Sequence, residues 1–371
     1  MTDDRLKLPL FTKASVFVIG FCALVAILYI AKGIIVPVVF AVIIAIVLHP
    51  VVSFFVKKKI NRVVAIAITI FMTFLVIAAL GALVISQVGR FVESFPLLID
   101  KFTGMIDQAI NWASGYFDIK PQKIHEWITK TEGDLVNSSS AAIGQTLTIL
   151  GGGLIVLFLL PVYIFLILLY HPILIEFIHR LFGSENQSKV SQIVTQIKSV
   201  IQQYLIGLGI EAAIMAILNT SALLILGIEY AFILGIISAM VNVIPYIGGI
   251  VGVALPMIVA LATKSSAWYA FYVLAAFYVI QLIDNNFIVP KIVASKVKIN
   301  ALFSIIVVFI GNALWGVPGM FLSIPLLAII KLICDNIEPL KPWGFLLGDT
   351  MPPLLIIKPI FKKIKNKSAQ S

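Results

Sequence analysis

The sequence predicts an all-α integral membrane protein with six full spans, two re-entrant hairpins entering from opposite sides, about eight membrane elements in all, and an extracytoplasmic amphipathic helical segment. Three observations predict it. Of 371 residues, 61% are hydrophobic and only 12% are charged, too apolar a composition for water to be the main solvent. Uncharged runs recur at the length needed to cross hydrocarbon. The basic residues behind the net charge of +10 gather between those runs, where membrane orientation requires them. That clustering speaks against a nucleic-acid partner, which a soluble chain of this charge would suggest.

The first four spans fall at 14–31, 34–56, 63–88 and 147–170. The first follows Arg5, Lys7 and Lys13 like a signal peptide, but no small-residue cleavage pattern follows it, so it reads as a retained helix. Lys57, Lys58, Lys59 and Arg62 place the loop between the second and third spans in the cytoplasm, and the N-terminus with it. The segment 89–146 is then exported. It leans acidic, and Phe91, Phe95, Leu98, Phe102, Ile106 and Ile110 recur at helical spacing along one face. The segment 171–203 returns inside as an amphipathic arm with a stripe from Val190 to Tyr204, and runs into the fifth span at 204–227. The tail, 334–371, is basic and cytoplasmic. Cys22 and Cys334 fall on separate segments and form no disulfide or metal signature.

The pattern changes within 204–333, which reads as the functional core. Two apolar stretches of about fourteen residues, 231–244 and 250–263, are divided by Pro245, Tyr246, Gly248 and Gly249. At ~1.5 Å per residue each reaches ~21 Å, short of the ~30 Å hydrocarbon thickness. A second pair, 301–314 and 318–331, is divided by Trp315, Gly316 and Val317, and an ordinary span at 268–284 lies between the pairs. Hairpins interrupted by Gly and Pro in corresponding positions, with opposite entry, are the pattern of a transporter built from inverted repeats. A broken tip leaves backbone N–H and C=O groups free to bind solute or ion. Two plain helical hairpins with tight turns are the simpler alternative.

Polar side chains inside such a chain are expensive and therefore informative. Glu211 sits within the fifth span, with no Lys or Arg between 204 and 263. Gln281, Asp284, Asn285 and Asn286 crowd the end of the sixth span, Asn242 stands beside the first tip and Asn312 beside the second. These could converge on a site. The alternatives are a hydrogen-bonded packing role for Glu211 and a solvated boundary position for Asp284. No P-loop supports ATP-driven export, no nucleophile–base set supports an enzyme, and no cofactor is expected.

The run Asn242-Val-Ile-Pro-Tyr-Ile-Gly248, then Asp284-Asn-Asn-Phe-Ile-Val-Pro-Lys291, then Gly316-Val-Pro-Gly-Met320 with Ile324-Pro325, resembles the autoinducer-2 exporter family of bacterial membrane proteins. The likeness is strongest over 204–331. Gly249 stands where the family usually has Pro or another small residue, and Asn312 where its second hairpin is glycine-rich. The resemblance implies a homo-oligomer, with a pentamer as the suggested assembly, in the bacterial inner membrane. It implies either export of a small polar solute such as an autoinducer-2-like signal, or exchange of sodium or lithium for protons. It carries the family's acidic position to Asp284, a candidate sodium ligand, and the hairpin motif to Pro245, Tyr246 and Gly248. Lipid is the surrounding partner. A membrane scaffold that transports nothing is the reading from another class.

The orientation is testable: single cysteines at Lys59 and Ser114 should react with impermeant thiol reagents from opposite sides of the membrane. Labelling from one side would overturn it.

Overall fold

The computed structural model describes residues 9–82, 85, 86, 104, 158–182, 187–244, 248–292 and 297–349. The expected segment 89–146 and the tail beyond 349 therefore lie outside the described residues, as do Pro245 and Tyr246. Among the described residues the chain is helical apart from one isolated bridge, Ile299 to Gly348. In chain order the helices are α1 (Leu10–Ile30), α2 (Lys32–Lys57), α3 (Arg62–Ala82), α4 (Phe158–Leu181), α5 (Gln187–Ile225), α6 (Ala231–Asn242), α7 (Gly248–Thr263), α8 (Trp268–Ile283), α9 (Val289–Ile292), α10 (Ala301–Trp315), α11 (Val317–Asn336) and α12 (Lys341–Leu347).

Among the described residues six helices are long and apolar enough to cross a membrane: α2, α3, α4, α5, the run Trp268–Ile292 through α8 and α9, and α11. The set differs from the expected one in three places. The fourth span, expected to end at 170, continues through Pro172 to Leu181 as α4. The apolar stretch of α1, Ala14–Ile30, is shorter than these. The return arm of the second hairpin is longer than the fourteen residues expected: α11 has 20, because Leu332, Ile333 and Cys334 carry its apolar face past Lys331 before Glu338-Pro339 ends it. The other three hairpin arms are short, with 12 residues in α6, 16 in α7 and 15 in α10. Phe17, Phe71, Ile217, Phe232, Ile250 and Phe309 are exposed on the outside of the bundle, an arrangement suited to lipid rather than water.

Local chemistry sets the boundaries. Asn61 caps α3 by accepting a bond from the Val63 N–H at 2.9 Å, and Asn300 caps α10 through the Phe303 N–H at 3.0 Å. Helix α5 has 39 residues, ~58 Å of rod, so residues 187–203 of the predicted arm and the fifth span form one uninterrupted helix, while 171–181 belong to α4. It stops at Gly227, whose φ of 64° only glycine adopts freely. There the Gly227 N–H bonds to the Leu224 carbonyl and the Ile228 N–H to the Leu223 carbonyl, both at 2.9 Å, while Leu223 and Ile228 meet in the core. This is a Schellman stop.

Two cores organise the bundle. Ala41, Ala45, Val52, Ala65, Ile66, Ile164 and Leu168 join α2, α3 and α4. Leu223, Ile233, Leu234, Val259, Val273 and Phe277 join α5, α6, α7 and α8. The α10–α11 hairpin docks between them through Ile43, Ile201 and Leu322 and the stacked rings of Phe40 and Phe321. Its tip reaches α1, where the Trp315 indole donates to the Leu28 carbonyl at 3.0 Å. Inside this hairpin Gly311 and Gly319 face each other so closely that a Cβ on either would strike the other's backbone. The Ser323 hydroxyl shares its one hydrogen between the Gly319 carbonyl of its own helix, at 2.6 Å, and the Val307 carbonyl across the seam, at 2.9 Å. Gly311→Val should therefore force the helices apart and cost ~1–3 kcal/mol, read as a lower unfolding midpoint of the detergent-solubilised protein. An unchanged midpoint would show that the seam is loose.

Candidate functional site

The site begins with a change of helical register. After Ile283 the chain winds through a π-turn, Asp284–Ile288, before resuming as α9. Pro290 has no N–H to give to the preceding turn and its ring crowds the backbone there, so a wider turn ahead of it is the relaxed solution. The sixth span thus runs on to Ile292, and Asp284 lies two turns inside it rather than at its end. The boundary position considered from sequence is corrected accordingly: Asp284 is 1% exposed.

The Asp284 carboxylate accepts bonds from the Asn242 amide at 3.1 Å and the Gln281 amide at 3.3 Å, both on Oδ2. Oδ1 is buried and accepts none among the described residues. Asn242 is the last residue of α6, so the first hairpin has to end where it does for that amide to reach α8. Gly249, in the first turn of α7, lies against the Gln281 side chain; a Cβ there would come within 2.6 Å of its Oε1. Gly248 packs onto the backbone of Val241 and Asn242. Glycines at a tight reversal are expected to take a conformation closed to other residues. The structure corrects the reason: neither has positive φ, and both are held to glycine by close approach, whereas the left-handed glycine is Gly316 at the second tip, with φ 67°.

Glu211 is buried in the same region, 6% exposed, and near enough to Asp284 for the two carboxylates to act on each other electrostatically. An apolar cluster of Met215, Ala239, Ile280 and Ile288, one turn along the chain from these polar residues, packs α5, α6 and α8 together. The ion pairs Arg180–Glu176, Lys331–Asp335 and Lys341–Glu338 lie elsewhere. A buried, low-dielectric group of two acids and two amide donors, with a carboxylate oxygen to spare, is suited to holding a proton or a small cation. Among the described residues no cluster of three His, Cys, Asp or Glu side chains exists.

Of the sequence candidates, then, Glu211, Asn242, Gly248, Gly249, Gln281 and Asp284 come together. Asn285 touches the edge of the group through a 3.4 Å contact with Gln281 but is exposed. Asn286 is exposed and bonds back to the Leu282 carbonyl, and Asn312 is exposed near the second tip, so neither joins. Sequence reasoning missed Asn219, Thr220 and Ser238, all buried. Asn219 lies two helical turns beyond Glu211 on the same face of α5, and its Oδ1 also accepts nothing among the described residues. Ser238, one turn before Asn242, donates to the Gly252 carbonyl at 2.5 Å. The four-residue spacings from Ser238 to Asn242 and from Glu211 through Met215 to Asn219 were the available signal.

Long apolar helices enclosing buried polar side chains are the features of a multi-pass membrane protein. The comparisons agree: residues 17–338 match the AI-2E family transporter family, and the chain belongs to it. It is similar to YrrI of Bacillus subtilis (strain 168), 22% identical over 309 residues, covering 81% of this chain and 86% of that one. It is also similar to the AI-2 transport protein TqsA of Escherichia coli (strain K12), 25% identical over 328 residues, covering 86% and 90%.

The two tip glycines should separate in their effects. Gly249→Ala meets only the end of a flexible side chain, so it should displace Gln281 and reduce transport while changing stability by less than ~1 kcal/mol. Gly248→Ala meets backbone and should cost ~1–3 kcal/mol. Flux assays beside thermal melts would check this, and equal effects of the two on both readouts would refute the assignment.

Proposed function

We propose that the protein is a gradient-driven secondary transporter of the bacterial inner membrane that exports a small polar solute of the autoinducer-2 kind, with both termini cytoplasmic and several copies in the assembly. One observation carries the reading: Asp284 is buried two turns inside a span and held by an amide from the tip of a broken hairpin, with Glu211 at hand. A carboxylate is costly in that setting unless it works as a proton or ligand carrier. The broken hairpin supplies the movable half of the site, since its short arms can shift without unwinding a full span. The choice of solute follows the name of one relative, the AI-2 transport protein.

Exchange of sodium or lithium for protons is the second reading. It is favoured by the acid pair itself, because a small cation would satisfy the spare Asp284 oxygen and the Glu211 charge together. On this reading sodium is cargo.

Purified protein in liposomes separates the two. Solute accumulation that follows a proton gradient and ignores sodium supports export, while proton release on adding sodium supports exchange. In either case Asp284→Asn keeps the side-chain shape and removes the titratable group, so gradient-driven transport should fall by tenfold or more (~1.4 kcal/mol or more) while downhill solute leak persists. Glu211→Gln should weaken coupling in the same direction. Unaltered, fully coupled transport in both variants would remove the site from the mechanism.

A further inference from the structure

The N-terminal half holds a second polar site, unlike the first in charge and chemistry. Between α2, α3 and α4 lies a pocket of about 330 Å³ lined by His49, Ser53, Lys57, Arg62 and His171. Lys198 reaches it from α5, its Nζ 2.8 Å from His49 Nδ1, and the Ser53 hydroxyl sits 3.3 Å from the same nitrogen. The His49 and His171 rings pack at 4.6 Å between centroids. An ammonium only donates, so His49 Nδ1 accepts and the ring's proton is on Nε2. Arg62 gives one Nη2 hydrogen to the Leu168 carbonyl at 2.7 Å and keeps other donors on the same fork.

Four helices thus bring three cations and two imidazoles to one half-buried concavity, and among the described residues no acidic side chain lines it. Like charges drawn together without a counter-charge repel, and the repulsion grows as water is excluded. We propose that this pocket binds a phosphate-bearing anion. Arg62 matches phosphate oxygens with a planar pair of donors, Lys198 and Lys57 supply point charges, and Ser53 and the imidazoles supply neutral or switchable donors. The pocket opens at the end of the bundle where Lys57, Lys58, Lys59 and Arg62 gather, the depth at which lipid headgroups lie. The anion is therefore either a phospholipid headgroup or a soluble phosphate, and both present the same oxygens.

The test uses the full-length protein in neutral detergent and two probes, inorganic phosphate and short-chain phosphatidylglycerol, with binding read as a concentration-dependent rise in melting temperature. Lys198→Gln and His171→Gln alter the pocket without touching the Arg62–Leu168 bond, and Lys59→Gln, on the exposed loop, is the control. Saturable binding of either probe to wild type and to Lys59→Gln, weakened about tenfold or more in Lys198→Gln and at least threefold in His171→Gln, is the expected result. Binding of phosphate alone assigns a soluble ligand, and binding of the phospholipid alone assigns a headgroup. No saturable binding of either probe to wild type, or equal binding to wild type and both pocket variants, would overturn the proposal.

Discussion

A carboxylate set among apolar side chains must find donors or a counter-ion, and much of the C-terminal half is arranged around meeting that demand for Asp284. Its donors come from two directions. Gln281 is on the same helix, one turn earlier, and Asn242 is on another, which is possible only because α6 stops after 12 residues at the depth of Asp284. The return arm must then start beside Gln281, and it can do so because Gly248 and Gly249 have no side chains to keep it away. The end of α6 and the two glycines that open α7 thus both serve one buried carboxylate.

The second constraint is the solvent. Lipid gives apolar helices no reason to prefer each other over hydrocarbon, so association depends on close packing and on hydrogen bonds between elements. The seams follow that rule. Gly235 of α6 packs on Thr220 of α5, Gly252 of α7 on Ser238 of α6, Gly207 of α5 on the Ile292 carbonyl of α9, and Gly311 of α10 on Gly319 of α11. Two of these seams carry a serine that donates to a carbonyl across the interface, Ser238 to Gly252 and Ser323 to Val307. The same small residues that let the backbones approach leave room for the polar bonds that hold them.

How much of this was legible in the sequence depends on the range of the interaction. Apolar length and basic loops report on single segments, so the helical class and the division of 231–263 and 301–331 into paired helices could be read directly, though α7 starts at Gly248 rather than at 250. Glu211 and Asp284 stood out as acids within apolar stretches. The length of α11 was misjudged because Lys331 looks like an ending, whereas its ammonium pairs one turn on with Asp335 and the apolar face continues. The π-turn was invisible because a Pro six residues after Asp284 does not say how the turn before it will relax. Asn219 and Ser238 were passed over: four-residue spacing puts them on the faces of Glu211 and Asn242, but only the packing of α5, α6 and α7 shows that they are buried. Of the basic pocket, Lys57 and Arg62 were read as an orientation signal, and only the fold shows that His49, Arg62, His171 and Lys198, from four helices, meet.

The two polar sites share one element. Lys198 and Glu211 both belong to α5, ~20 Å apart along its axis. That separation is about twice the ~8 Å screening length at physiological salt, and the stretch between them is packed with Ile201, Tyr204 and Leu208, so direct charge–charge coupling between the sites is weak. What connects them is stiffness. Helix α5 contains no proline and runs unbroken through both sites; a tilt that moves Lys198 against α2 also moves Glu211 against α8. Gln202 ties the helix to α2 through the Ile46 carbonyl at 2.5 Å, and Gly207 seats it on the Ile292 carbonyl, so the contacts that would resist or guide such a tilt lie between the two sites. Any influence of an anion in the basic pocket on the acidic site therefore has to travel as a rigid-body motion of α5, with the α2 and α9 contacts as its bearings.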